Sequence, residues 1–432
     1  MSILKYGALT IVLLLAVVLM LIGILSVTRG ATVRTVVAAG DKGGPPEVSD
    51  PLFPRTIELF TGTHIDEGNR VEILLNGEGT YPIIWKDIAS AKHTITVQMY
   101  YSQPGAVADT MSKYLSERAR AGVRVLVLFD AFGSQPLYGD WVENLKNAGV
   151  EFAWLRPLKW YTLQKASTRS HVRVIVVDGR VGYTGGFGLA DYWLGDGRHA
   201  EQWRESNVRF MGPTVAALQA AFASGWAETR GELLTGDVFF PPVAFEDKGS
   251  VKAGLMHSLP TIGSTPAERF YALTIAGARK TLYITNSYFV PNTDFCQLLI
   301  NSAKSGVDVR VLTVGPTTDV KSTWYAGRAV YEQLLEGGVK IYEYKPTMMH
   351  AKTIVVDGLW SSLGSMNFDN RSIAFNNESQ ILALDSTVGK QMDDIFLEDL
   401  KYSDEIKLDT FRKRPWTNKM LERGASLMRR VL

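Results

Sequence analysis

Nearly the same nine-residue segment occurs twice in this chain. His171–Gly179 reads HVRVIVVDG and His350–Gly358 reads HAKTIVVDG. An internal repeat constrains the fold more than any single motif, because both copies must be built from the same local elements. The similarity extends upstream of the motif. AGVRVLVLFD (Ala121–Asp130) matches SGVDVRVLTV (Ser305–Val314), and AGVEFAWL from Ala148 is echoed by GGVKIYEY from Gly337. Each of these reads as a helix end, a glycine turn and a strand buried on both faces. The order helix, strand, helix, strand, motif therefore occurs twice. It predicts an α/β fold, with mixed sheets flanked by helices in two similar halves about a pseudo-twofold axis.

Within each copy, IVVDG needs no explanation beyond a buried strand and an Asp-Gly turn. The residues in front of it do. Side chains alternate across a strand, so positions i and i+2 share a face. His171 and Arg173 then point one way in the first half, and His350 and Lys352 in the second. A lone histidine in such a place is more often a satisfied core residue. Two in equivalent places of two halves point to one shared site.

With 432 residues the chain is long enough for two units with their own cores. We expect an N-terminal anchor over 1–29, a linker over 30–67, a first half over 68–250, a second half over 251–400 and a basic tail over 401–432. The stretch Gly7–Val27 carries no charge and is long enough to cross a hydrocarbon core of about 30 Å. It predicts an uncleaved single-pass transmembrane helix and a location at the cell membrane, in preference to a cleaved signal. Ala38–Pro54, rich in Gly, Pro and Asp, reads as linker. The formal charge is +2, which disfavours nucleic acid as partner. The single cysteine, Cys296, excludes an intrachain disulfide, and His64, His93, His199 and His257 have no metal-ligand spacing. No metal and no cofactor are expected.

Two imidazoles, each beside a fixed cation, suit substitution at a phosphodiester. One attacks phosphorus, the other moves protons on the two alcohols, and the cations face the non-bridging oxygens. Each ring also needs an orienting carboxylate. Glu205 follows His171 and Glu378 follows His350 at similar distances along the chain.

The segment HAKTIVVDGLWSSLGSMNFDNRS (His350–Ser372) carries the full H-x-K-x4-D-x6-G-S-x-N pattern, and so resembles the phospholipase D superfamily. NSYFVP (Asn286–Pro291), EGGVKIYEY (Glu336–Tyr344), NNES (Asn376–Ser379) and WRESNVRFMGPTVAALQAAFASGW (Trp203–Trp226) are similar, more narrowly, to bacterial cardiolipin synthases. The resemblance spans about Gly68 to Leu400. It implies two phospholipase D-like halves, catalytic roles for His171 and His350 and orienting roles for Glu205 and Glu378. It also implies phosphate binding by Lys352, Arg173, Ser365 and Asn367, and structural roles for Asp178 and Asp357. The implied reaction condenses two phosphatidylglycerol molecules to cardiolipin and glycerol through a covalent phosphohistidine. Phospholipid hydrolysis (nucleic acid being less expected as substrate) and a degenerate lipid-binding member are the alternatives. The first copy departs from the family pattern. Arg173 stands for lysine and Gly188 for asparagine, and Arg173→Lys is expected to keep or raise activity.

Three further stretches have two readings each. The basic tail from Arg412 is either an interfacial helix or an ordinary docked one. Trp160 and Tyr161 either meet lipid, at the interface or along the substrate entry, or pack in a loop. Tyr100, Tyr101 and Tyr288 end core strands, with packing the expected role.

Overall fold

The computed structural model of the protein describes residues 2–28, 32–37, 45–157, 168–261 and 263–430. Trp160 and Tyr161 lie outside the described residues, as does 38–44 of the expected linker. A helix spans Ser2–Thr28. Its described side chains, residues 6–21, are all exposed. Among the described residues no helix is long and apolar enough to cross a membrane.

The first half supplies β1 (Asp66–Leu75), β2 (Thr94–Met99), β3 (Arg124–Asp130), β4 (Glu151–Leu155), β5 (Val174–Val177), β6 (Val181–Gly185), β7 (Trp203–Arg204) and β8 (Ser206–Met211). The second supplies β9 (Val251–Ser258), β10 (Thr281–Asn286), β11 (Asp308–Val314), β12 (Lys340–Tyr344), β13 (Met348–Met349), β14 (Lys352–Val356), β15 (Trp360–Gly364) and β16 (Glu378–Leu384). An edge strand, β17 (Ser403–Glu405), follows. The main sheet runs β17-β12-β11-β10-β14-β15-β16-β9-β1-β8-β6-β5-β2-β3-β4. With β17 set aside, this order is the same pattern read from either end. β12 answers β4, β14 answers β5, and the pseudo-twofold falls between β9 and β1. Registers repeat as well. β2 runs parallel to β3 and antiparallel to β5, as β10 does to β11 and β14.

The apolar runs of the repeat follow from burial on both sheet faces. Ile175 and Val177 of β5 face a core private to the first half, and Ile354 and Val356 of β14 one private to the second. Their alternates, Val174, Val176 and Val355, enter a third core shared by both halves with Phe210, Trp226, Leu312 and Phe396. The two halves thus share interior as well as symmetry.

The segment expected to be a linker does more than connect. Leu52–Thr61 is a helix, and its Phe53 and Ile57 are buried in the second half's core, Phe53 edge-on to Trp360 at 5.1 Å. The proline and glycine content around it obscures this short amphipathic helix.

Candidate active site

Both motif strands end in the same turn. Asp178 and Asp357 adopt φ of 53° and 54°, and Gly179 and Gly358 follow at 63°. Two successive positive φ values make the tight hairpin turn that Asp-Gly favours. Each carboxylate then collects three backbone N–H groups from the start of the neighbouring strand. Asp178 accepts from Lys92, His93 and Thr94, and Asp357 from Arg279, Lys280 and Thr281, at 2.7–3.0 Å for the best contact of each. We expect Asp178→Ala or Asp357→Ala to cost about 2 kcal/mol of stability, as hydrogen bonds to a charged group do. Thermal unfolding should show the loss, with turnover of the folded fraction changed only a few-fold.

The histidines leave these strands at the opposite end, and there each half reaches into the other. Backbone N–H of His171 donates to Asn377 O at 2.9 Å, and that of His350 to Arg204 O at 2.8 Å. β13 pairs in parallel with β7, and Ser170 bridges to Asn377. Each histidine is therefore set beside the acid of the other half. His171 Nδ1 meets Glu378 Oε2 at 3.0 Å, and His350 Nδ1 makes a short contact to Glu205 Oε2. Proximity along the chain suggests the reverse pairing; the exchange comes from the crossed backbone pairing. Because Nδ1 is engaged in both rings, Nε2 is the nitrogen left for chemistry.

His171 and His350 line one cavity of about 380 Å³ together with Arg173 and Asn367. Lys352, Ser365, Glu205 and Glu378 stand behind this wall. Lys352 Nζ donates to Ser287 Oγ at 2.8 Å and to His350 O. Ser365, expected at the phosphate, donates instead to Glu378 Oε2 and accepts from Ser379 N. Asn367 faces the cavity with its side-chain oxygen unpartnered. Burial, then Arg173 and Lys352, lower His171 well below the usual histidine value; burial, then Lys352 and Arg173, do the same for His350. Burial raises Glu205 and Glu378 to about 7 and lowers Lys352 to about 7. Burial disfavours the charged form of both members of each pair. Among the described residues no group of three or more His, Cys, Asp or Glu could hold a metal ion.

The cavity has two unlike sides. One is aromatic: Tyr100, Tyr101, Tyr192, Trp193 and Trp203, with Trp203 4.9 Å and Trp193 5.5 Å from the His350 ring. The other is polar and built around Asp369, Arg371 and Asn376. The three tyrosines whose expected role was packing all line the cavity, and Tyr288 donates to Asp319 at 2.7 Å. Sequence reasoning missed Arg371 and Trp193. Arg371 is carried by the helix Asn370–Ala374, capped by Asp369, which starts just beyond Asn367.

These observations meet those of known proteins. The family model described as "Cardiolipin synthase, PLD-like domain" matches residues 84–226 and 271–400. The cardiolipin synthase of Geobacillus kaustophilus is 34% identical over 86% of this chain and 74% of that protein. Cardiolipin synthase A of Pseudomonas syringae is 29% identical over 94% and 85%. The chain belongs to the cardiolipin synthase family of the phospholipase D superfamily. It is a phosphatidyltransferase of that superfamily. Among solved structures, phosphatidylserine synthase of Haemophilus influenzae superposes with a TM-score of 0.67 over 88% of this chain and 99% of that one, at 13% identity. Polyphosphate kinase of Porphyromonas gingivalis does so with a TM-score of 0.52 over 83% and 53%, at 10% identity. At such identities the likeness is one of fold.

In this cardiolipin synthase-family chain the first half's departures are packed, not vacant. A side chain at Gly188 would meet the Trp193 ring at 2.6 Å and Tyr101 O at 2.7 Å. A second departure lies beside it: Gly186 occupies the place of Ser365, and a Cβ there would meet the Glu205 carboxylate at 2.3 Å. Where Ser365 serves Glu378, the Trp193 indole N–H points to Glu205 at 3.4 Å. Arginine also comes with a partner change. Lys352 donates to Ser287, the first residue beyond β10; the first residue beyond β2 is Tyr100, whose ring lies 5.7 Å from the Arg173 guanidinium. Arg173 further donates to His171 O at 2.6 Å and Phe187 O at 3.2 Å. A lysine at 173 has one nitrogen where the guanidinium sets two on separate carbonyls, and finds a ring where its hydroxyl partner should be. The structure therefore revises the expectation for Arg173→Lys. Losing a charged hydrogen bond of about 1.5 kcal/mol should lower kcat/KM about tenfold. Adding Tyr100→Ser should recover part of that loss in a steady-state assay.

Proposed function

We propose that the protein condenses two phosphatidylglycerol molecules into cardiolipin and glycerol at the cavity shared by His171 and His350. The observation that supports this most directly is the pair of crossed His–Glu contacts at one cavity lined by Arg173. In the first step the neutral imidazole of one histidine attacks phosphorus through Nε2. The bond from phosphorus to the glycerol headgroup oxygen breaks, and the other histidine, protonated, gives that oxygen its proton. The entering phosphodiester anion supplies the negative charge that favours this second imidazolium in a buried site. In the second step the same histidine removes the proton from a headgroup hydroxyl of the second lipid. That oxygen attacks phosphorus, the P–N bond breaks, and the first histidine is regenerated. Arg173 and Arg371 face the non-bridging oxygens, Lys352 adds charge from behind His350, and Asn367 offers an amide.

Transfer over hydrolysis is favoured by the aromatic side of the cavity. Trp193 and Trp203 pack against His350 and restrict the water that can compete with a lipid alcohol. The cavity volume suits headgroups, leaving acyl chains outside. We assign the helix Ser2–Thr28, uncharged from Gly7 to Val27, as a single-pass anchor in the cell membrane, on the basis of its apolar sequence and exposed described side chains. The test is product identification. Purified full-length protein in mixed micelles with isotopically labelled phosphatidylglycerol should yield cardiolipin and glycerol in equal amounts by mass spectrometry. Phosphatidic acid as the main product would make it a hydrolase, and no product would favour a binding role.

A further inference from the structure

The last helix of the described chain, Trp416–Ser426, is oriented opposite to an ordinary surface helix. Its inward side is polar: Glu422 is 2% exposed and bonded to Arg414 at 2.7 Å and Arg328 at 3.4 Å. Its outward side carries Trp416, Met420 and Leu421, exposed by 70%, 60% and 51%, and the turn beyond it adds Leu427 and Met428. Lys413 and Arg423 are exposed alongside them. Surface helices normally bury the apolar side and show the charged one. Here rolling the helix inward would strip Glu422 of both arginines and leave a buried charge unpaired. The apolar side is held outward and calls for a cover.

Three contacts locate this face on the molecule. Arg328 ends the helix Lys321–Arg328, and Val320 and Thr323 at that helix's other end line the active cavity. Arg430 O accepts from Asn370, the neighbour of the cavity residue Arg371. Arg429 donates to Thr293 Oγ1 at 3.5 Å, and adjacent Asp294 accepts from Thr32, just beyond the apolar helix Ser2–Thr28. The outward apolar face, the exit of the N-terminal apolar helix and the cavity rim thus lie together.

We propose that this face docks on the surface of an anionic phospholipid bilayer. Trp416, Met420, Leu421, Leu427 and Met428 enter between headgroups, and Lys413, Lys419 and Arg423 meet lipid phosphates. The cavity rim is thereby held against the lipid surface. A second copy of the chain is a poorer occupant, because self-pairing would set these cations against each other. The docking stands apart from the chemistry, while its use in substrate capture rests on the transferase reading above.

The test uses the full chain reconstituted in vesicles, with an environment-sensitive fluorophore on Met420→Cys. In vesicles containing phosphatidylglycerol the fluorophore should be quenched by spin-labelled lipid, and less so in pure phosphatidylcholine. Trp416→Ser/Leu421→Ser/Leu427→Ser should abolish the quenching. It should also lower kcat/KM on vesicle lipid about tenfold, leaving monomeric short-chain lipid turned over as before. Absence of quenching in both vesicle types would overturn the proposal. So would quenching independent of lipid charge, or shielding that grows with protein concentration in place of lipid contact. The fluorescence needs no turnover, so an inactive protein that still shows quenching would sink the transferase reading and leave the docking intact.

Discussion

Replacing either imidazole by asparagine is expected to lower turnover by about 10³-fold or more, since each variant removes either the nucleophile or the proton carrier. His171→Asn and His350→Asn should fold normally, because both rings face the cavity and not a hydrophobic core. They should differ in what they trap. After a single turnover with labelled phosphatidylglycerol and a rapid quench, wild type should carry label on a histidine as a base-stable phosphoramidate. The variant lacking the nucleophile carries none. The variant lacking the proton carrier carries label slowly, and mass spectrometry of the peptide identifies the remaining ring. Near-normal turnover in either variant would show that the two halves do not share a site.

The carboxyls should follow the crossed arrangement. Glu378→Gln is expected to behave as damage to His171, and Glu205→Gln as damage to His350, each costing up to about 10⁴-fold, as loss of an orienting carboxylate can. Both side chains are fully buried and glutamine keeps their shape, so the lesion is one of charge and tautomer. The discriminating measurement is the double mutant. Glu378→Gln in the His171→Asn background should add almost nothing, because the two act as one unit. In single-turnover labelling, Glu378→Gln should fall with His171→Asn, and Glu205→Gln with His350→Asn. Grouping by half in place of grouping across halves would contradict the contacts at His171 Nδ1 and His350 Nδ1.

These two results depend on different levels of information. The strands β5 and β14 and their Asp-Gly turns are local consequences of alternation and turn chemistry, and single residues declare them. Gly188 and Arg173 were visible as departures, but their meaning was not. Only packing shows that Trp193 fills the space at Gly188 and that Arg173 is matched to Tyr100. The C-terminal helix is similar. Its sequence shows both apolar and basic residues, and which side turns inward is set by the burial of Glu422 between Arg328 and Arg414.

By itself, then, the sequence determined the repeat, the α/β alternation, the family and the residue types of the site, because each of these is written in spacing along one strand or helix. The tertiary structure decided which acid holds which histidine, which cation faces the cavity and which side of the last helix looks outward. Those are contacts between segments far apart in the chain, fixed by backbone pairing and burial across the two halves, and no local periodicity encodes them.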